Sequence, residues 1–504
     1  MKPVTQLIKE KPAIGWVLFF ATVVVVFLLG LLASTIVERR AESVFVYTPE
    51  VKHSQFEPRN EIWGENFPRE YQSFLQTADT SFRSMYNGSA TIDMLEVNPR
   101  FVVLWAGYSF SREYEQARGH MHAIDDIRNI LRTGGPVNGE GNMQPNTCWT
   151  CKSPDVPRVM NEIGVAEFYK GKWEDKGHEI VNPIGCADCH DAETMNLRIS
   201  RPALVEAYER QGKDITKASH QEMRSLVCAQ CHVEYYFNKD RYKDVPYLTF
   251  PWDNGQSAEE MEKYYDDMEF VDWTHQLSRA PMLKAQHPGY EIYSTGVHAS
   301  RGVSCADCHM PYMSEGGQKY TDHHIQSPLN NVHNSCQVCH RDETEKLVND
   351  VNERHKRVIE NRDKLEKQIV SAHVEAKAAW DNGAAEPQMD NILIDIRHAQ
   401  WRWDYAAASH GASFHSPVET SRVIASGMDI IQDARLKLAR LLAKLGHNKP
   451  VPYPDISTKA KAQKYIGLDM KKLNREKQRF LEQVVPEWEQ KTKEREANYE
   501  VSYY

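Results

Sequence analysis

The sequence predicts a mainly α-helical protein, in which a region of short helices and loops is followed by a region of long helices. Two observations carry this prediction. All ten cysteines of the 504-residue chain fall into five Cys-x-x-Cys pairs between residues 148 and 339, amid frequent proline, glycine and aromatic residues. From residue 341 onward, apolar residues recur at helical spacing over long stretches that contain few helix-breaking residues.

The N-terminal segment is apolar. Ala13 to Val37 is a run of 25 residues without a charge, preceded by Lys2, Lys9 and Lys11. This run exceeds the apolar region of a signal peptide and is long enough to span a bilayer. The preceding lysines place the N-terminus in the cytoplasm and the rest of the chain outside. We expect residues 1–40 to be an uncleaved anchor holding the protein on the periplasmic side; the alternative is a soluble periplasmic protein after signal cleavage.

After the anchor, the chain is expected to divide into three further parts. Residues 41–60 are polar and predict a tether, 61–340 hold the cysteine pairs, and 341–504 form the long-helix region, packed with the preceding part as one compact unit. The predicted long helices are 342–380, 392–409, 421–446 and a charged segment, 457–498, interrupted at Pro486. Their alternating charge favours packing on one another or on a second copy.

The charge balance excludes one class of partner. The net charge is −9, and lysines and arginines are spread along the chain. No basic patch predicts binding to nucleic acid.

Four of the five cysteine pairs end in histidine: "CADCH" (186–190), "CAQCH" (228–232), "CADCH" (305–309) and "CQVCH" (336–340). Cys-x-x-Cys-His is the attachment signature of c-type haem, in which two thioethers fix the porphyrin and the histidine binds the iron. A zinc ribbon also pairs Cys-x-x-Cys units, but the four adjacent histidines and an exported location argue against it. We predict haem attachment at Cys186, Cys189, Cys228, Cys231, Cys305, Cys308, Cys336 and Cys339, with axial ligands His190, His232, His309 and His340.

The fifth pair, in "TCWTCKSPD" (147–155), ends in Lys152 instead of histidine. It is either a degenerate site or unrelated dithiol, or a fifth haem, attached at Cys148 and Cys151, whose axial nitrogen is an amine. A lysine must lose its proton to bind iron, from a reference pKa of ~10.4, which only a buried cationic metal favours. A haem with so different a ligand is where substrate chemistry is expected, on its open face.

At this point the chain resembles the pentahaem cytochrome c nitrite reductases, which form ammonia from nitrite. One Cys-x-x-Cys-Lys motif followed by four Cys-x-x-Cys-His motifs is the signature of that family. Further strings match from about residue 56 to about 445: "ILRTGGP", "CWTCKSPDV", "CAQCHVEYYF", "KAQHPGYEIYSTGVHASRGVSCADCHMP", "YTDHHI" and "SHGASFHSPVE". The resemblance implies five covalently bound haem c groups, with Lys152 as proximal ligand of the catalytic haem.

The resemblance also implies a catalytic set, Arg132, Tyr235 and His287, on the open face of the Lys152 haem. Arginine is a permanent cation suited to an anion's oxygens, histidine can deliver protons near neutral pH, and tyrosine can donate a hydrogen bond. In isolation each residue would be assigned to the surface or the core.

Two ligand sets follow from the same resemblance. One calcium ion is implied at the Glu234 carboxylate, the Gln286 side-chain carbonyl and the backbone carbonyls of Tyr235 and Lys284, a set of oxygens that suits a hard cation. The implied distal haem ligands are His120, His298, His323 and His415; His324 and His410 are neighbouring competitors.

The implied activity is six-electron reduction of periplasmic nitrite to ammonium at the lysine-ligated haem, with four bis-histidine haems relaying electrons. The implied partners are a membrane quinol-oxidising multihaem cytochrome as donor and a second copy in a homodimer. A pure electron carrier, in which all five irons are six-coordinate, is the competing class. Octahaem hydroxylamine oxidation shares the haem stacking but needs more attachment sites than ten cysteines supply.

Overall fold

The computed structural model describes residues 8–42, 49–136 and 144–503, and the chain there is mainly helical, as predicted. The helices are α1 Pro12–Glu42, α2 Asn60–Asn66, α3 Pro68–Leu75, α4 Met94–Val97, α5 Arg100–Leu104, α6 Ala123–Asn129, α7 Asp155–Ile163, α8 Val165–Tyr169, α9 Cys186–Cys189, α10 Pro202–Arg210, α11 His220–Ala229, α12 Ala258–Asp267, α13 Gly289–Ser294, α14 Val297–Ser300, α15 Cys305–His309, α16 Val332–Ser335, α17 Thr344–Asp381, α18 Glu386–Ala408, α19 Ala412–His415, α20 Pro417–Lys444, α21 Lys459–Tyr465, α22 Met470–Gln483 and α23 Val485–Glu496.

The strands in the described ranges form five two-stranded antiparallel ribbons. They pair in the order β1–β10, β2–β3, β4–β5, β6–β7 and β8–β9, with bounds β1 Val51–Lys52, β2 Ile92–Asp93, β3 Glu115–Gln116, β4 Tyr236–Asn238, β5 Tyr247–Thr249, β6 Trp273–Thr274, β7 Pro281–Met282, β8 Tyr312–Glu315, β9 Gln318–Thr321 and β10 Ser502–Tyr503. Such short ribbons fix the ends of loops and supply little core.

Helix α1 contains the apolar segment. Within Pro12–Val37 an 18-residue window has a mean hydropathy of 2.8, and by length and composition the segment could cross a membrane. A signal sequence near the N-terminus has the same properties. Residues 1–7 of the expected 1–40 segment lie outside the described residues.

The three long helices α17, α18 and α20 pack on one another and form the second of two apolar cores. Their buried faces contribute residues such as Leu365, Ile396 and Ile431, and the segment Phe101–Ala106 packs against them. Gly427 permits the close approach, because a Cβ there would lie 2.9 Å from Leu365 Cδ2 on α17. The predicted helices 342–380, 392–409 and 421–446 agree with these bounds to within a few residues.

The charged C-terminal segment is helical, as predicted, but its helix is interrupted at two places instead of one. The chain leaves helical geometry between Tyr465 and Met470, where Gly467 adopts a φ of +77°, and again at Val484. Pro486 lies inside the first turn of α23, where its missing N–H costs no hydrogen bond. The helix is therefore interrupted next to Pro486, as expected, because that proline starts a new helix, whereas the break between Tyr465 and Met470 was not predicted.

The expected tether at 41–60 also differs. Residues 43–48 lie outside the described residues, but from Val51 onward the chain packs on the protein. Val51 pairs with Tyr503, and the Trp63 indole donates to Glu57 O at 2.9 Å. Asn60 Oδ1 accepts from Cys186 N at 2.9 Å, so the end of the supposed tether holds a cysteine motif.

Candidate active site

The lysine motif lies on a short 3-10 helix, Asn146–Cys151, that is anchored by its own tryptophan. The Trp149 ring stacks on Trp173 with centroids 4.5 Å apart, and its indole N–H donates to Trp173 O at 2.8 Å. Lys152 follows this turn, and its N–H donates to Trp149 O at 3.0 Å. The Lys152 Nζ has no hydrogen bond or ion pair to any described residue, so its amine is free to bind a metal.

A buried arginine joins this turn to the second motif. Arg201 donates from Nε to Thr150 O at 2.6 Å and from Nη2 to Ser153 O at 2.8 Å. The same guanidinium pairs with Asp188 inside "CADCH" at 2.5 Å. Its backbone contacts therefore hold the two residues that bracket Cys151 and Lys152.

Each of the four motif histidines lies opposite a second histidine that is distant in sequence. The ring centroids are 6.3 Å apart for His232 and His120, 6.2 Å for His190 and His323, 6.1 Å for His309 and His415, and 6.3 Å for His340 and His298. These are the four distal ligands implied by the resemblance, each brought to a different motif.

The separations fit one iron between two imidazoles. A ligating nitrogen lies about 2 Å from its metal and about 1.1 Å from its ring centre, so two opposed rings are about 6.2 Å apart. Burial lowers the pKa of His190 to about 4 and that of His232 to about 3, so both rings are neutral, as ligands must be. Neither ring is fully enclosed by protein atoms, which fits positions facing haem-sized spaces.

The competing histidines are placed elsewhere. His323 is the partner of His190, whereas the charge of His324 acts on exposed Asp79. His415 is the partner of His309, whereas His410 interacts electrostatically with Lys284 and Arg362.

The motifs are not arranged in space in the order of the sequence. The Cys151 thiol of the lysine motif is close enough to that of Cys231 for each to affect the pKa of the other, and the same holds for Cys228 and Cys305. Ser335 Oγ, beside the last motif, donates to Cys308 O at 2.8 Å. The contacts run from the lysine motif through 228–232 and 305–309 to 336–340, with 186–190 attached through Arg201.

Tyr235 and His287 are placed by hydrogen bonds that join two segments, 232–235 and 286–291. Tyr290 N donates to His232 O at 2.9 Å, and Gln286 N donates to a Glu234 carboxylate oxygen at 2.6 Å. In the opposite direction, Glu234 N donates to Glu291 Oε1 at 2.8 Å. Both segments are therefore fixed beside the third motif.

Arg132 lies over an aromatic ring. Its guanidinium carbon is 4.0 Å from the Phe110 centroid, and its buried Nε has no hydrogen-bond partner among the described residues. Phe110 also contacts the Lys284 ammonium, 5.0 Å from its centroid. One ring thus separates Arg132 from the segment that carries His287.

The electrostatics connect these groups to the lysine motif. Burial lowers the pKa of His287 well below its usual value, and the positive charge of Lys152 lowers it further. Burial raises the pKa of Tyr235 well above 10, and the nearby thiols of Cys151 and Cys148 raise it further. At neutral pH these three side chains are therefore a neutral imidazole, a protonated phenol and a charged guanidinium.

The four residues expected to bind calcium also lie together. Gln286 Nε2 donates to Lys284 O at 3.1 Å; rotation of the amide would place Oε1 there, at a separation typical of two ligands of one cation. Glu234 is fully buried, which raises the pKa of its carboxyl group well above its usual value. Among the described residues no group of three or more His, Cys, Asp or Glu side chains forms a metal-ligand cluster, so a cation here would depend on carbonyls.

Sequence reasoning missed the buried charges that hold these segments. Asp404 on α18 accepts from Lys284 Nζ at 2.8 Å and from Ala285 N at 3.2 Å, and Tyr265 donates to Glu234 at 2.9 Å. The one available signal was an acidic residue amid the aromatics of "WRWDY". Arg201 and Glu291 gave no comparable signal.

Comparison with known proteins agrees with this geometry. The family model described as cytochrome c552 matches residues 59–498. Proteins named cytochrome c-552 from Porphyromonas gingivalis and Parabacteroides distasonis are 59% and 58% identical over 481 residues, 95% of this chain and 96% and 97% of theirs. The structure of the catalytic subunit (NrfA) of cytochrome c nitrite reductase from Desulfovibrio desulfuricans, for which two calcium sites are described, superposes with a TM-score of 0.72 at 31% identity, covering 83% of this chain and 90% of that one.

The fold, the cysteine motifs and the opposed histidines define a multihaem c-type cytochrome. More specifically, the chain belongs to the cytochrome c552 family. The resemblance inferred from the sequence motifs is confirmed.

Replacing His323 by alanine should leave the haem of the 186–190 motif with one protein ligand, because His323 faces His190 at 6.2 Å. We expect one low-spin haem to become high-spin in the electron paramagnetic resonance spectrum. The matched control is His324→Ala, which should leave the spectrum unchanged. The reverse result would assign the ligand to His324.

Proposed function

We propose that this protein reduces nitrite to ammonium at a haem bound through Cys148, Cys151 and Lys152. The balanced reaction takes one nitrite, eight protons and six electrons to one ammonium and two waters. The proposal is supported by the 31% identity to a solved cytochrome c nitrite reductase over 83% of the chain.

One observation carries the proposal. Four motif histidines each face a second imidazole, whereas the motif that ends in Lys152 interacts electrostatically with Arg132, Tyr235 and His287. A pure electron carrier would need no such distinction among its haems. The lysine-ligated haem would supply the redox-active iron with an open coordination position.

The chain's own residues supply anion binding and protons. Arg132 carries a permanent charge, and its burial without a salt bridge to any carboxylate in the described ranges makes an incoming anion favourable. Neutral His287 would gain a proton as the anion enters, since a negative charge nearby stabilises imidazolium. Protonated Tyr235 would donate a hydrogen bond to an oxygen of the substrate.

Electron supply follows from the contacts between motifs. Six electrons exceed what one iron can hold, and the chain of contacts from Cys151 through Cys231 and Cys305 to Ser335 gives adjacent haems a continuous route. We propose a membrane multihaem cytochrome that oxidises quinol as the donor. Quinol-dependent nitrite consumption in membrane vesicles would measure this coupling.

The purified protein, supplied with reduced viologen, should consume about six electrons per nitrite and release one ammonium, as the balanced reaction requires. Arg132→Lys should raise the KM for nitrite about tenfold or more, because a lysine loses the bidentate contact. Lys152→His should change the spectrum of one haem and lower kcat. Protein that carries five haems but shows no nitrite-dependent viologen oxidation would leave only the electron-carrier function.

We further propose one calcium ion at Glu234, Tyr235, Lys284 and Gln286. A fully buried carboxylate is costly without a cation, and the nearest ammonium, that of Lys284, is already paired with Asp404. A divalent ion would keep Glu234 charged and fix the carbonyls that precede His287.

Chelation or Glu234→Gln should lower nitrite turnover by about ten- to a hundredfold, as for other groups that orient a site through a metal. Calcium, measured by elemental analysis, should be lost in the variant and retained in the exposed control Glu209→Gln. Added calcium should restore the chelated wild type but not the variant. Full activity in calcium-free protein would contradict the site.

The mature assembly is proposed as a membrane-anchored homodimer. Support comes from the length of the apolar part of α1 and from the long helices α17 and α20, parts of whose faces are exposed. Native mass spectrometry of protein solubilised from membranes should give twice the mass of the full chain with five haems per copy. A mass lacking residues 1–40 would indicate signal cleavage instead.

A further inference from the structure

We propose that the C-terminal helix α22 is a clamp that positions Arg132 relative to the lysine motif, with Lys477 as its positioning residue. This rests on the proposed role of Arg132 in binding the substrate anion. Helix α22 lies beyond the part of the chain whose motifs carried the resemblance, which ended near residue 445.

Lys477 holds the backbone next to Arg132. Its side chain is 5% exposed, and its Nζ donates to Thr133 O at 2.6 Å. On the other side of Arg132, Leu131 N donates to the Glu113 carboxylate. The residues on either side of Arg132 are thus each held by a hydrogen bond to their backbone, one of them from α22.

Helix α22 also packs closely against Gly134 and Gly135, which follow Thr133. A Cβ on Gly134 would lie 2.5 Å from Phe480 Cε1, and one on Gly135 would lie 3.0 Å from Glu476 O. Both glycines have positive φ, 63° and 77°, which lets the turn approach the helix closely. A cavity of about 250 Å³ lies alongside and is lined by both glycines and by Glu476 and Lys477.

The same helix reaches the lysine motif through aromatic rings. Phe480 is 5.9 Å from Trp173, and Trp173 stacks on Trp149 between Cys148 and Cys151. Trp488 of α23 packs on both Phe480 and Trp173, at 5.4 Å and 5.6 Å. Phe480 therefore contacts the turn that carries Arg132 and, through Trp173, the turn that carries Lys152.

This arrangement has a chemical consequence. Arg132 acts on the charge of the substrate, so a shift of its backbone weakens binding of an anion more than binding of a neutral molecule. Loss of the Lys477 contact should therefore change the preference between nitrite and hydroxylamine, which is uncharged at neutral pH. A general destabilisation of the fold would weaken the binding of nitrite and of hydroxylamine alike.

The test compares Lys477→Met with the exposed control Lys471→Met on the same helix, both as full-length holoprotein. We expect Lys477→Met to raise the KM for nitrite about tenfold while kcat and the KM for hydroxylamine stay within about twofold of wild type. Lys477→Arg, which keeps a donor, should restore most of the nitrite affinity. Haem content and thermal midpoint are measured for every variant.

An equal change in the KM for nitrite and the KM for hydroxylamine, or no change in either KM, would contradict the proposed role of Lys477. If Lys477→Met does not accumulate with its haems, Phe480→Leu provides the same comparison, because it removes the ring seated on Gly134. Wild type and Arg132→Lys are assayed in parallel. If wild type does not reduce nitrite, the proposed function fails; if it does and Arg132→Lys weakens nitrite selectively, a silent Lys477 variant refutes the clamp alone.

Discussion

The placement of four histidine pairs is the constraint on which the rest of this structure depends. A pair of imidazoles about 6.2 Å apart must face each other across a flat cofactor, and the two members of a pair are up to 133 residues apart in the sequence, as for His190 and His323. Extended sheets cannot supply so many inward-facing ligands at such short intervals. Short helices, turns and two-stranded ribbons can, because each needs to orient only one or two side chains.

Buried hydrogen bonds to backbone hold these turns in place. Arg201, Glu291 and Asp404 are at most 1% exposed. Arg201 and Glu291 each bridge two segments that carry candidate site residues, and Asp404 joins the segment of Lys284 to α18. In a low-dielectric interior such contacts are strong, and the loss of one partner leaves the other uncompensated. The rigidity that a redox site requires therefore comes largely from charges that take no part in the chemistry.

Hydrogen bonds connect the candidate site to the helices of the C-terminal region. Asp404 lies on α18 and holds Lys284, three residues before His287, while α22 contacts the turn of Arg132. The segments that carry Arg132 and His287, two residues of the proposed site, are thus both held by the helical region. The three long helices were predictable from their periodicity, whereas the packing of residues 51–60 on the protein was not, because Val51 meets Tyr503 from the other end of the chain.

The sequence by itself determined the cofactor class, since Cys-x-x-Cys-His is a local pattern whose function lies in covalent bonds to haem, and it set the Cys-x-x-Cys-Lys motif apart as the candidate for a different haem. It also determined that the chain after residue 341 is mainly helical and, through family motifs, which residues are candidates for the site. Only the tertiary structure decided which distal histidine faces which motif, that the motifs meet out of sequence order, and that Arg201, Glu291 and Lys477 hold the site. The physical reason is that a pairing across 6 Å, or a buried side chain donating to a distant carbonyl, leaves no periodic signal in the chain.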